Sequence, residues 1–189
     1  MVWRAPGHAD VARPVLVAEG FPGGYPADYL YELLDQGGLA TALRARGRDL
    51  VVVGFDAGAG PIGRNARVVA ACIAEARRRT AAPLAVGGVS MGGLVARYAL
   101  AWLESTGADH GTDVYFSVDT PHGGAYTCLA DQWFAQFFRR ASPAARTLAM
   151  VLDAPANQQF VLRWVNGGTA AESPLRARFL ADLHALGDW

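Results

Sequence analysis

The chain reads LAVGGVSMGGLVARYAL from Leu84 to Leu100. Its first six residues form a short apolar run typical of a buried strand, and the residues after Ser90 have the apolar spacing of a helix. A serine on such a strand-to-helix turn stands above the edge of a sheet, with the N–H of Met91 at the start of the helix. The pattern predicts a nucleophilic serine, and an ordinary Gly-Ser turn is the alternative.

Strands and helices alternate on both sides of this segment. Predicted strands cover 14–19, 49–55, 84–89 and 113–118, and predicted helices cover 27–35, 38–46, 64–80 and 91–105. This alternation predicts a parallel, doubly wound α/β sheet. After residue 126 the patterns at 129–139, 142–153, 157–165 and 174–186 are all helical. We therefore expect a single domain over 1–189, with an α/β core at 14–126 and a helical, lid-like half at 127–189.

The composition excludes several classes of function. Hydrophobic residues make up 52% and charged residues 18% of 189 residues, which is typical of a well-buried globular fold. Basic and acidic residues number 17 each, so we expect no nucleic-acid partner. Every basic residue is arginine, which excludes a P-loop lysine and a Schiff base. Two cysteines are too few for a thiolate zinc site, and no metal is expected.

No segment approaches the roughly 18 apolar residues that a membrane-spanning helix needs. The N-terminus, MVWRAPG, lacks the pattern of a signal peptide. The sequence therefore predicts a soluble protein, and it leaves open a cytoplasmic or a secreted location and the oligomeric state.

A second glycine-rich turn, EGFPGG from Glu19 to Gly24, follows the first predicted strand. Gly20 permits a close approach of the backbone, and the N–H of Phe21 is the predicted second donor, beside that of Met91, to an oxyanion. The alternative is a plain Gly/Pro turn.

Two blocks of the chain resemble the α/β-hydrolase superfamily. The first is GVSMGGLVARY at 88–98 and the second is SVDTPHGGA at 117–125. They are similar to the lipase and serine-esterase branch, which carries a G-x-S-M-G-G-L-x-x-R turn and a later S/T-P-H-x-G loop. The resemblance implies hydrolysis of small-molecule or lipid esters by a Ser-His-acid triad without a cofactor. It assigns Ser90 as nucleophile, with Phe21 and Met91 as oxyanion donors.

The acid and the base of the triad are less well defined by the sequence. Asp119 is the candidate acid because it ends the strand after the nucleophile helix, and a turn-capping role is its alternative. His122 is the candidate base, but it shares one tight loop with Asp119, which makes it hard for that carboxylate to orient the imidazole. The histidine of this loop is structural in the family, so a base beyond Trp189 is the alternative. The sheet is accordingly expected to lack its C-terminal strands.

The segment Gly58–Gly63 matches the dinucleotide-binding pattern G-x-G-x-x-G. The acidic residue that this pattern needs about 20 residues later is missing, and Pro61 removes a backbone N–H from the phosphate cradle. We interpret the segment as a turn at the edge of the sheet.

The helical half carries a group of aromatic residues: Trp133, Phe134, Phe137, Phe138, Phe160 and Trp164. They belong either to a core or to a lid, in which Trp133 and Phe137 would contact the acyl group of a substrate. The sequence as a whole predicts a serine esterase or lipase. A non-catalytic or truncated binding module is the first alternative, and an acyltransferase or thioesterase using the same serine is the second.

Overall fold

The computed structural model of the protein describes residues 1–187. The strands are β1 (Val2–Trp3), β2 (Pro14–Ala18), β3 (Asp49–Val53), β4 (Leu84–Val89), β5 (Thr112–Val118), β6 (Trp164–Asn166) and β7 (Thr169–Ala171). The helices are α1 (Ala27–Asp35), α2 (Leu39–Ala45), α3 (Ile62–Arg79), α4 (Met91–Ser105), α5 (Leu129–Phe138), α6 (Pro143–Leu152), α7 (Pro155–Phe160) and α8 (Pro174–Ala185). Among these residues, no helix is both long and apolar enough to cross a membrane.

The main sheet has five strands in the order β1-β3-β2-β4-β5. Strands β2 to β5 pair in parallel, and β1 adds to β3 in the antiparallel direction. The predicted α/β class with a parallel sheet is thus confirmed. Strand β4 and helices α1 and α4 begin and end at the predicted residues.

The helices cover the two faces of the sheet unequally. The larger core lies on the face covered by α3 and α4, where Leu16, Val86 and Leu94 are fully buried. On the other face the short helices α1 and α2 pack over β2 and β3. Strand β5 lies at the edge, beyond these helices, and its Val114 and Val118 are 52% and 51% exposed.

The second half of the chain departs from the all-helical expectation. Helix α7 ends at Phe160, and β6 and β7 form a small antiparallel hairpin before α8. Buried Gln132 of α5 accepts a hydrogen bond from the N–H of Val165 at 3.0 Å, so the hairpin is tied to α5. The predicted helix over 157–165 was therefore wrong beyond Phe160. Strand β1 was also missed, because a strand of two residues is too short to show an alternation of apolar and polar side chains.

A buried carboxylate fixes the start of β3, at the end of the sheet opposite Ser90. Asp49 accepts hydrogen bonds from the N–H groups of Ala5, Ala12 and Arg13 at 2.7–2.9 Å and contacts Nδ1 of His8 at 2.8 Å. Burial alone would raise the pKa of Asp49, but these hydrogen bonds outweigh burial and lower the pKa to about 2. The charged form of Asp49 thus stabilises the N-terminal segment against the sheet.

Because the pKa of Asp49 is about 2 in the folded chain and near 3.8 when unfolded, its contribution to stability is complete above about pH 5. We expect about 2 kcal/mol of unfolding free energy to be lost as the pH falls from about 5 to about 2. Asp49→Asn should be less stable at pH 7 and should flatten this dependence, which urea unfolding at several pH values measures. Asp113→Asn, at an exposed position of β5, is the control. Parallel pH curves for wild type and Asp49→Asn would contradict the assignment.

Candidate active site

Ser90 forms the sharp turn between β4 and α4. Its backbone has φ 54° and ψ −127°, a strained conformation for a residue with a side chain. The Ser90 N–H donates to the carbonyl of Val118 at 2.8 Å, and the Ser90 carbonyl accepts from the Gly93 N–H at 3.1 Å. The end of β5 and the first turn of α4 therefore hold the serine in this strained position.

The glycines around Ser90 are required by close backbone contacts. A Cβ on Gly92 would lie 2.1 Å from the carbonyl oxygen of Ala18, and one on Gly88 would lie 2.3 Å from the carbonyl carbon of Gly92. A Cβ on Gly93 would lie 2.1 Å from Oγ1 of Thr120. Helix α4 thus starts directly against the end of β2, which accounts for glycines on both sides of the serine.

The turn at 19–24, predicted to carry the second oxyanion donor, lies against Ser90. A Cβ on Gly20 would stand 3.3 Å from Cβ and 3.8 Å from Oγ of Ser90. The N–H of Met91 is among the first of α4, and these have no acceptor within a helix. The N–H of Phe21 makes no hydrogen bond to another of residues 1–187. Both amides are therefore available to a ligand beside Ser90.

Glu19 shapes this turn, and the sequence analysis missed it. The side chain is 97% buried, and its carboxylate accepts hydrogen bonds from the N–H groups of Gly24 at 3.0 Å, Tyr25 at 3.3 Å and Phe55. A lone acidic residue at the end of an apolar strand, directly before a Gly-Phe-Pro-Gly-Gly turn, was the available signal. Glu19 therefore holds the backbone of the 19–24 turn against the segment that follows β3.

The glycine-rich segment after β3 packs on the same turn. A Cβ on Gly58 would lie 2.5 Å from the carbonyl oxygen of Pro22 and 2.6 Å from Cα of Gly23. The side chain of buried Asn65 donates to the Gly58 carbonyl at 2.9 Å. Glycine is therefore needed at position 58, because two backbone segments cross there without room for a side chain.

His122 packs on the α4 side of β5. Its Nε2 lies 3.0 Å from Oγ of Ser117, its Nδ1 is buried without a hydrogen-bond partner, and its ring meets that of Tyr115 edge-on at 6.4 Å. Burial, and next the positive charge of Arg97, lower the pKa of His122. The imidazole is therefore neutral near pH 7, and its nearest hydrogen-bonding side chain is Ser117.

The structure does not bring a complete triad together. Asp119 is exposed with φ 49°, and within residues 1–187 no hydrogen bond joins it to His122 or joins a histidine to Ser90. His8 contacts Asp49 and His110 contacts Glu104, both away from this end of the sheet. The fourth histidine, at 184, is exposed in the last turn of α8.

A buried arginine fixes the loop that carries His122. Arg176 of α8 donates to the carbonyl of Gly123 at 3.0 Å and to that of Phe160 at 3.3 Å. The N–H of Ala125 donates to the same Phe160 carbonyl at 2.8 Å. Helices α7 and α8 thus brace the far side of this loop, a role that the helical pattern of the sequence did not indicate.

The aromatic residues of the second half divide into two groups. Phe160 is buried, and its ring meets that of Phe21 edge-on at 5.4 Å. Trp133 and Phe137 are 41% and 80% exposed on α5, and Phe134 and Phe138 are exposed with them. The core interpretation is thus right for Phe160 and wrong for the aromatic residues of α5.

A cavity of about 220 Å³ opens beside Ser90. It lies between α1 and the end of the sheet, and Gly20, Phe21 and Ser90 form its upper wall. Its other walls are mainly apolar: Val17, Tyr29, Leu30, Leu33, Val52 and Val89. The arrangement suits an apolar group attached to an atom that Ser90 could attack.

No family model and no curated protein matches the chain. Among solved structures it is similar to the Bacillus licheniformis lipase BlEst2. The mature form of that lipase superposes with a TM-score of 0.53 and 18% sequence identity over 79% of this chain and 56% of the lipase. The propeptide form gives 0.53 and 18% over 85% of this chain and 31% of that one. The chain thus spans about half the length of the mature lipase, and the two share a lipase-like α/β fold.

Proposed function

We propose that the chain is a serine hydrolase that cleaves carboxylic esters of apolar acyl groups through Ser90. The observation that carries the proposal is the strained Ser90 turn, which lies against Gly20 and opens on an apolar cavity. A backbone strain of about 1–3 kcal/mol at one serine is typical of a functional site. The lipase-like fold agrees with this chemistry without establishing it.

The proposed reaction proceeds through an acyl-enzyme. The Ser90 hydroxyl attacks the ester carbonyl carbon and gives its proton to a base, while the carbonyl oxygen becomes an oxyanion. The N–H groups of Phe21 and Met91 stabilise that oxyanion. The alcohol leaves with a proton from the base, and water then releases the carboxylic acid.

The proposed base is His122, with Asp119 as the acid. The lowered pKa of His122 keeps the ring neutral, as a base must be before it accepts a proton. To act on Ser90, the ring would have to leave Ser117, and Asp119 would have to approach its Nδ1. Arg176 holds this loop at Gly123, and the 119–122 segment before it has no regular secondary structure, which permits such a movement.

A non-catalytic binding module is the second candidate function. It is favoured by one observation, the lack of a hydrogen bond between Ser90 and a histidine in residues 1–187. An acyltransferase or thioesterase would use the same serine and oxyanion donors and would differ in the acceptor or the leaving group.

We first predict that a fluorophosphonate probe labels Ser90 stoichiometrically, because an activated serine attacks phosphorus as it attacks a carbonyl carbon. Intact-mass spectrometry should show one adduct on wild type, none on Ser90→Ala and one on Ser105→Ala, a matched change of a serine at the other end of α4. Equal labelling of wild type and Ser90→Ala would refute the nucleophile.

Next, His122→Ala should reduce turnover of p-nitrophenyl esters by about 10³-fold or more, because it removes the general base. His110→Ala is the matched control and should retain turnover, and circular dichroism should show both variants folded. Activity that survives in His122→Ala would assign the base to His184 or to another chain. Background activity in wild type, unchanged by either variant, would favour the binding module.

We also propose that the α5–α6 hairpin acts as a lid whose exposed aromatic face, led by Trp133 and Phe137, meets the acyl part of the substrate. The rings of Phe134 and Phe138 lie 4.9 Å apart, and those of Phe137 and Phe138 lie 4.8 Å apart, so these three rings form one exposed cluster. The hairpin buries mainly small side chains of its own, Ala135 and Ala149. A contiguous exposed apolar patch of this kind marks an interaction surface.

The double variant Trp133→Ala/Phe137→Ala should therefore lower kcat/KM for p-nitrophenyl dodecanoate more than for the acetate. Thermal melts should show little loss of stability, since both side chains are exposed, whereas buried aromatics would cost about 3–5 kcal/mol each. Tyr126→Ala, which removes a 92% exposed aromatic outside α5, is the control. Equal decreases in kcat/KM for the two esters would show that Trp133 and Phe137 do not contact the acyl chain, and would refute the lid.

A further inference from the structure

A second cavity, of about 410 Å³, lies between α3 and α4. It shares no lining residue with the cavity beside Ser90. Tyr98, one of its walls, is eight residues after Ser90, which is roughly 12 Å farther along α4 at the usual helical rise. The space is therefore separate from the candidate active site, and its size is in the range of small-molecule sites. The residues that line it are Gly63, Arg64, Ala66, Arg67, Tyr98 and Trp102.

One wall of this cavity carries two arginines that bind no other part of the protein. Arg64 and Arg67 are exposed on α3, and neither side chain makes a hydrogen bond or an ion pair within residues 1–187. Arg64 stands in the first turn of α3, where a positive charge opposes the helix dipole. Like charges three residues apart on a helix also repel each other. The stability of α3 therefore does not account for this pair of guanidinium groups.

The opposite wall presents two aromatic side chains of α4. Trp102 is 38% exposed, and Tyr98 lies one turn before it. The ring of Tyr98 is nearly parallel to that of Phe179 on α8, with centroids 6.0 Å apart, and a Cβ on Gly63 would lie 3.5 Å from it. The hydroxyl of Tyr98 makes no hydrogen bond to another of residues 1–187. The wall thus combines a fixed aromatic surface with a hydroxyl that a ligand can bind.

Charges of both signs act on Tyr98. Burial, and next the negative charge of Asp182 on α8, raise the pKa of Tyr98, while the charge of Arg67 opposes them. The hydroxyl is therefore protonated near pH 7 and can donate to an anion. Asp182 is exposed and forms no ion pair with Arg64 or Arg67 among the residues that the structure describes. The two guanidinium groups thus remain available to a ligand, and Asp182 is a carboxylate that would repel an anionic one.

We propose that this cavity binds an aromatic phosphate monoester. The phosphate lies against Arg64, Arg67 and the hydroxyl of Tyr98, since guanidinium groups bind phosphate oxygens through paired N–H donors. A phosphate monoester carries a charge of about −1.5 to −2 near pH 7, which matches two guanidinium groups better than one carboxylate does. The ring of the ligand stacks on Trp102. Nucleoside phosphates and simpler aryl phosphates share this chemistry, and the site does not depend on Ser90.

Isothermal titration calorimetry with GMP and with 1-naphthyl phosphate tests the site and separates these two kinds of ligand. Arg67→Gln should weaken binding about tenfold, because it removes a charge-assisted contact. Arg140→Gln is the matched control, since it removes the same charge from an exposed position between α5 and α6, and it should bind as wild type does. Asp182→Asn should bind about twofold more tightly, because a repelling charge is lost. A loss of stability cannot produce that gain.

The aromatic wall has its own test. Trp102→Ala should weaken the aromatic phosphate about fivefold or more and leave the affinity for inorganic phosphate unchanged. Binding of GMP alone would identify a nucleoside phosphate, and binding of 1-naphthyl phosphate alone a simpler aryl phosphate. The inference is overturned if neither binds at millimolar concentration, if Arg67→Gln and Arg140→Gln lose equal affinity, or if inorganic phosphate binds as tightly as both. Ser90→Ala should bind like wild type, so failure of the esterase proposal would leave this result intact.

Discussion

The turn at Ser90 depends on the contact of two backbone segments with no side chain between them. Gly92 brings the first turn of α4 against the carbonyl of Ala18, so the end of β2 and the start of α4 share one small volume. A methyl group there would push α4 away from the sheet, and the strain at Ser90 would then relax. The turn at 19–24 also starts at this contact. One packing constraint therefore fixes both Ser90 and the neighbouring N–H groups of Phe21 and Met91.

Buried carboxylates hold the two ends of the sheet by the same kind of interaction. Asp49 at one end and Glu19 at the other accept backbone N–H groups from loops that have no regular structure. Hydrogen bonds from amides to a charged acceptor are stronger than those between neutral groups, and here they order loops that hydrophobic packing alone would leave mobile. Glu19 therefore holds the turn beside Ser90 and also lines the cavity that opens there.

The sequence predicted the parallel strands and the Ser90 turn because both leave local patterns. Apolar runs such as 84–89 identify buried strands, and Gly88 and Gly92 mark a close approach of backbones. The hydrogen bonds from backbone N–H groups to Glu19 leave no pattern in the sequence, since every residue except proline carries an N–H. Likewise, α5 carries aromatics at 133, 134, 137 and 138, a spacing typical of a buried helix face, yet the structure exposes them. Periodicity identifies an apolar face, but only the neighbouring elements decide whether it is covered.

The position of His122 leaves Ser90 less closely coupled to its proposed base than to the neighbouring backbone amides. In a working triad the imidazole becomes a cation, and a carboxylate beside it stabilises that charge. Here Arg97 adds positive charge near the ring, and the buried Nδ1 has no acceptor, so both features favour the neutral ring where it lies. The same loop is held from the other side by Arg176, which fixes Gly123 rather than the histidine itself. The preorganised part of the site is therefore the strained serine with its neighbouring amides and apolar cavity, while the proposed proton transfer through His122 would require the 119–122 segment to move.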